Sequence, residues 1–371
     1  MKPYVPKQLA LLDIDWADHV SLIGAANAAL ARYDGLLSSI VNPGVLLSPL
    51  TTREAVLSSR IEGTQATLEE VLEYEADPTE KIDPVKQADI QEIINYRQAM
   101  RYAVEQLKHR PLCLNLLREL HGVLLDSVRG RNKAPGEFRR IQNYIGPPGC
   151  SIEEATFVPP AADKLAAGLD DWEKYVHFDE KDRLVQLAVV KAQFELIHPF
   201  LDGNGRVGRM LIPIFLFEKK LLSSPMFYLS AYLEAHREVY YERLRSISHD
   251  NDWNGWIRFF LNALIEQAHD NTAKAKAILA LYERMKREVP EITHSQYAIQ
   301  AIDALFDLPV FTSARFITRS NIPNDTAKRI LSALKAKGTI HVLSGGRGRR
   351  GAMMVFPQLL AITEADPFVD H

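Results

Sequence analysis

Two runs of helical period meet at nine residues that a helix cannot contain. In "DRLVQLAVVKAQFELI" the apolar residues Leu184, Leu187, Ala188 and Phe194 recur at three- and four-residue steps, the spacing of a helix that buries one face. Then comes "HPFLDGNGR", His198 to Arg206, and the apolar period resumes at Val207, Met210 and Leu211. A residue before proline is pushed out of helical backbone angles, so the first helix is expected to stop at His198. Gly203 and Gly205 let the backbone turn with its N–H groups converging. A glycine-rich turn that opens a helix aims those amides, and the positive end of the helix dipole, at one spot, which is how chains hold phosphate.

The side chains of the string suit a polyphosphate. Arg206 and Arg209 lie three residues apart in the first turn of the second helix, so both can face the same spot and bind through their planar forks. Cations are disfavoured at a helix N-terminus unless an anion sits between them. Asp202 would be repelled by phosphate unless a hard divalent cation, Mg²⁺, bridges the two. His198, with an ordinary pKa of about 6.5, can accept a proton there. No nucleophile accompanies these groups, so the attacking group is expected to be a hydroxyl on a partner. No Gly-Lys-Ser/Thr follows the glycines, which excludes a P-loop. One histidine with an aspartate four residues on lacks the further ligands zinc wants.

"HPFLDGNGRVGR" resembles, at every signature position, the Fic family pattern His-Pro-Phe-x-Asp-Gly-Asn-Gly-Arg-x-x-Arg. The likeness extends through "PGEFRRIQNYIG" and "YLSAYLEAHREVYYERL", roughly residues 50 to 270. It implies transfer of AMP from ATP to a Ser, Thr or Tyr hydroxyl of a protein, with release of pyrophosphate. His198 is then the base, Asp202 the Mg²⁺ ligand, and Gly203, Asn204 and Gly205 the anion hole, with Asn204 near the α-phosphate. Arg206 would bind the β-phosphate and Arg209 the γ-phosphate, Val207 and Gly208 completing the nucleotide-binding stretch. Tyr240 and Tyr241 sit where relatives contact the nucleotide. A hairpin from Ile145 to Phe157 resembles the family flap, which registers a target's main chain as an added strand. "SSRIEG", Ser58 to Gly63, fits the inhibitory pattern Ser/Thr-x-x-x-Glu-Gly; Glu62 would pair bidentately with Arg209 in place of the γ-phosphate. The brake would act within one chain.

The rest of the chain frames this site. Helical period dominates, so the expected fold is mainly α: an N-terminal helical region (1–100) with the inhibitory helix, a Fic-type core (101–270) with the small hairpin flap, a connecting helix (271–290) ending near Pro290, and a winged-helix domain (291–371). Thr67 and Glu70 form an expected capping box, and Gly63 is expected to end the helix before it in the left-handed conformation. The C-terminal reading rests on "FTSARFITRSNIPNDTAKRILSALKAKGTIHVLSGGRGRRGAMMVF", helix, turn, helix, then two strands about an Arg-rich turn. Residues 311–351 hold nine Lys or Arg against one acid, while the whole chain of 371 residues carries a net charge of −3. Any basic surface is therefore local, and DNA is one candidate partner for 311–351, a module that equally serves to dock a protein or dimerise. A DNA-binding transcriptional regulator that uses the pocket only to sense nucleotide is the alternative reading; His198, which a sensor does not need, favours chemistry. A site in which Glu62 positions a water, reversing the modification, is also permitted. The target protein is not named by the sequence; self-modification and a homodimer are left open, and no membrane partner is expected. Two cysteines, Cys113 and Cys150, and the absence of a long apolar run read as a cytoplasmic protein.

Overall fold

Each apolar period becomes a helix with one face in a common core. The computed structural model describes residues 2–79, 82–126, 131–147, 149–345 and 351–368. Helix α1 (Trp16–Ser39) starts where Asp15 accepts the Asp18 N–H, and it lies along α12. After the short α2 (Pro43–Leu46) come α3 (Ser48–Ile61), α4 (Leu68–Ala76), α5 (Pro84–Gln106) and α6 (Leu114–Leu124). The capping box at the head of α4 forms as expected: Thr67 Oγ1 accepts the Glu70 N–H and the Glu70 carboxylate accepts the Thr67 N–H. Gly63, two residues past α3, has φ +104°, open to glycine at little cost.

The centre of the molecule is α7 (Leu165–Val176), α8 (Arg183–Ile197) and α9 (Asn204–Glu218). Asp182 caps α8 by accepting the Leu184 and Val185 N–H groups. Both α8 and α9 are buried along nearly their whole length, so the loop between them is held by core on two sides. α10 (Ser230–Ala235), α11 (Arg237–Asp250) and α12 (Trp253–Thr293) complete the shell. α12 runs unbroken through the expected connecting helix and carries Pro290 inside its last turn, ending at His294 with φ +48°.

The C-terminal part holds α13 (Ala298–Asp307), α14 (Ser313–Ser320), α15 (Asn324–Ala336) and α16 (Pro357–Glu364), with strands β1 (Val310–Thr312), β2 (His341–Ser344) and β3 (Met353–Val355). β3 is the middle strand, antiparallel to both neighbours, with Phe311 opposite Met354 and an irregularity between Val342 and Ser344. Arg347, Arg349 and Arg350 of the expected wing lie outside the described residues. This part rests on the N-terminal helices. Leu68, Leu72 and Ala76 of α4 form a second small core with Val310, Met353, Val355 and Leu360, and Arg53 on α3 pairs with Asp366 at 2.8 Å.

The expected hairpin is reduced to a single antiparallel bridge, Ile145 with Phe157, spanning a 3-10 turn at Ile152–Glu154. Pro147 and Pro159 offer no N–H to a ladder, which limits pairing to that one position.

Candidate active site

The loop between α8 and α9 is built by side chains that fasten its backbone. α8 stops at His198 as expected before proline, with His198 in the left-handed conformation, φ +49° and ψ 61°. Arg139 explains how this is held: its buried guanidinium donates to the carbonyls of His198 (2.9 Å) and Pro160 (2.5 Å), and more distantly to that of Ile197 (3.4 Å). On the far side His121 stacks on Phe200 with centroids 3.8 Å apart. Its Nδ1 accepts the Gly136 N–H at 2.9 Å, which leaves Nε2–H to donate to the Asp202 carbonyl at 3.0 Å. Burial pushes the His121 imidazole down to about 4, so it stays neutral in this role.

Asn204 differs from its expected part. Its Oδ1 accepts the Phe200 N–H and its Nδ2 donates to the Phe200 carbonyl, each at 2.8 Å, and the side chain is 2% exposed. One Nδ2 hydrogen and Oδ1 are thus engaged in locking the loop, a part the sequence did not suggest. Gly203, φ +77°, caps α9, and the amides of Gly205 and its neighbours open toward the mouth. Val207 is fully buried among apolar side chains, and a Cβ on Gly208 would collide with the Glu195 carboxylate. In this structure the two residues pack the helix.

Around the mouth stand the charged groups. Asp202 is half exposed, accepts the Gly203 N–H at 2.6 Å and lies 3.5 Å from Arg206. Arg206 is held from the other side by Glu92 of α5 at 2.7 Å. Arg209, 2% exposed, donates Nε–H to Ser58 Oγ (2.8 Å) and one Nη2 hydrogen each to the Ser58 carbonyl and Glu62 Oε1 (2.7 Å each). The expected bidentate Glu62 pair is thus one hydrogen bond, with Nε and the other Nη2 hydrogen on Ser58. Glu62 also sits over the helix start: a Cβ on Gly205 would run into its carboxylate. Partial burial opposes ionisation of Glu62, but Arg209, with Arg206 and His198, brings its pKa below the ordinary carboxylate value.

His198 is half buried, and Nδ1 makes a long contact of 3.4 Å with the Glu195 carbonyl. With a proton on Nδ1, Nε2 is the free basic nitrogen. Burial lowers its pKa below 6.5 despite the nearby Glu195 and Glu62 charges. Beneath lies a buried Lys191–Glu195 pair at 2.5 Å, with Lys191 also donating to the Tyr240 hydroxyl at 2.8 Å. Tyr240 is 1% exposed and packs against Trp256 and Phe259, so its ring is core and offers no face to a base. Tyr241 is 40% exposed and lines a cavity of about 280 Å³ with Glu195, Leu244, Arg245, Ile145 and Phe157.

Four of these groups, Glu92, His121, Arg139 and Glu195, escaped the sequence reading. Arg139 and Glu195 stand within stretches already noted, "PGEFRRIQNYIG" and "DRLVQLAVVKAQFELI", but neither stretch marks them as part of the site.

A helical fold that gathers amides, two arginines, a carboxylate and an imidazole at one helix start defines a candidate phosphate-handling site. Family comparison gives it a place. Residues 20–105 match the model described as Fic/DOC family N-terminal and residues 111–216 that described as Fic/DOC family. The chain belongs to the Fic/DOC family. It is 29% identical over 224 residues, 57% of its length, to a protein named Protein adenylyltransferase Fic from Drosophila grimshawi, and 33% identical over 133 residues to the one so named from Drosophila virilis. The matches span 39% and 24% of those relatives' lengths. The solved structure of a Fic family protein from Desulfovibrio desulfuricans G20 shares the fold, with TM-score 0.56 at 19% identity, over 96% of this chain and 98% of that one.

Proposed function

We propose that this chain is a protein adenylyltransferase held in check by its own Glu62. ATP lays its polyphosphate across the start of α9. A Ser, Thr or Tyr hydroxyl oxygen bonds to the α-phosphorus, the bond from that phosphorus to the bridging oxygen of the β-phosphate breaks, and pyrophosphate leaves. The hydroxyl proton passes to Nε2 of His198. The amides of the Gly203–Gly205 turn stabilise the charge that grows on the α-phosphate. Asp202 fits a magnesium ion, which takes one or two carboxylates and draws its other ligands from water and phosphate; bound there, the ion would neutralise phosphate charge. Among the described residues no group of three or more His, Cys, Asp or Glu offers a self-sufficient metal cage. Tyr241 and the adjoining cavity suit the base, and the backbone beside Ile145, itself 40% exposed, suits an extended target segment.

The observation that carries this reading is the Glu62 carboxylate, bonded to Arg209 and seated over Gly205 where a terminal phosphate would go. A nucleotide displaced by about 1 Å from its productive position loses on the order of a hundredfold in rate. With labelled ATP and Mg²⁺, Glu62→Gly should incorporate AMP into itself at least about tenfold faster than the wild type, and Glu62→Gly with His198→Ala should incorporate none. Equal incorporation by wild type and Glu62→Gly would rule out the brake. Full transfer without His198 would rule out the base.

A further inference from the structure

A second cavity, of about 290 Å³, lies against the same helix about two to four turns before Glu62. One wall is a single face of α5, where Arg97, Met100, Arg101 and Val104 follow at helical steps; the other is Ser48, Thr51 and Glu54 of α3. Met226 and Phe227 close it with apolar surface. The volume lies at the small end of ligand pockets, which pair an apolar body with a few polar groups.

One donor of this lining is buried without a hydrogen-bond partner, Arg97 Nε, in a residue 7% exposed, while the Tyr96 hydroxyl turns to Ser58. Leaving a buried donor unmet is costly, and an arginine nitrogen in the lining of a cavity calls for an acceptor. Arg97 is otherwise tied to Glu75 through Nη1 at 2.6 Å, while Arg101 stands exposed at the rim. The acidic member, Glu54, has its oxygens taken by the Ser230 N–H and hydroxyl, and burial pushes its carboxyl up to about 7, which weakens its opposition to an anion.

We propose that this cavity is an effector site for a small carboxylic acid with an apolar tail, its head toward Arg97 and Arg101. Because one wall belongs to α3, the acid binds best when α3 is docked, and a ligand favours the state to which it binds more tightly. It therefore reinforces the hold of Glu62 on Arg209, a consequence that rests on reading α3 as a brake.

The test is calorimetry of the full chain with 4-phenylbutyrate and, as uncharged control, 4-phenylbutyramide. The acid should bind at least about tenfold more tightly than the amide, in keeping with a charge-assisted contact. Arg101→Gln, at an exposed position, should cost it at least about fivefold, and Val104→Trp should fill the cavity and remove binding. No binding by the wild type, equal affinity for acid and amide, or full affinity in Arg101→Gln would overturn the site. In the transfer assay the acid should lower residual self-modification of the wild type and leave Glu62→Gly unchanged; inhibition of both alike would overturn the coupling. A Glu62→Gly protein without any transfer would refute the brake itself, whereas the calorimetry judges the cavity independently.

Discussion

Asn204 and His198 do different work within one loop. Asn204 engages both the N–H and the carbonyl of Phe200, so Asn204→Ala would leave a buried N–H and a buried carbonyl unmet. We predict a loss of about 1–3 kcal/mol in thermal or denaturant unfolding, accompanied by reduced transfer in the Glu62→Gly background; an unchanged midpoint would show that the loop is held without it. His198 sets the pH profile. Its burial-lowered pKa means that the neutral, proton-accepting form persists below pH 6.5. Replacing Glu62 removes one of the negative charges that raise that pKa, so the acid limb of kcat/KM for Glu62→Gly should lie below 6.5, activity falling only as pH drops through it. A limb above 7 would mean that another group, or a solvent-exposed histidine, is being titrated.

Helices were legible because their signals are local. The apolar steps of α8 and α9, the Thr67–Glu70 capping box and the left-handed Gly63 each depend on residues within a few positions of one another, and each appears as read. The cluster of charge at the start of α9 was legible for the same reason. What holds that cluster was not: His121 reaches Asp202 across 81 residues and Glu92 reaches Arg206 across 114. No short pattern marks such pairs, since tertiary packing creates them. Tyr240 and Tyr241 show a finer limit. Adjacent residues on a helix point about 100° apart, so one turns into the core beside Trp256 and the other lines the cavity; only the packing of α11 on α8 and α12 decides which. The flap pairs at the two residues expected, Ile145 and Phe157, and goes no further where prolines withhold the N–H groups that a ladder needs.

Across the molecule, the C-terminal part rests on the helix after Glu62 through the α4 core and on α3 through Arg53 and Asp366. Its α15 turns Lys328, Arg329, Lys335 and Lys337 to solvent, a basic face of the kind that meets phosphate backbone. None of the described helices is long and apolar enough to cross a membrane. If duplex DNA is the partner of this face, the full chain should bind it at low salt with an affinity that falls steeply as salt rises, and Lys328→Glu with Lys335→Glu should weaken it at least about tenfold. Absence of binding at low salt would dispose of the DNA contact and leave the basic face to a protein. The proposed function stands on a single arrangement, the start of α9 as a polyphosphate seat with Glu62 over it. A crystal structure of Glu62→Gly with Mg²⁺ and a non-hydrolysable ATP analogue tests it most directly. The account predicts phosphates over Gly205 with Arg209 on the terminal one and the α-phosphorus facing His198; a nucleotide bound elsewhere, or Arg209 still folded onto α3 beneath a bound analogue, would contradict it.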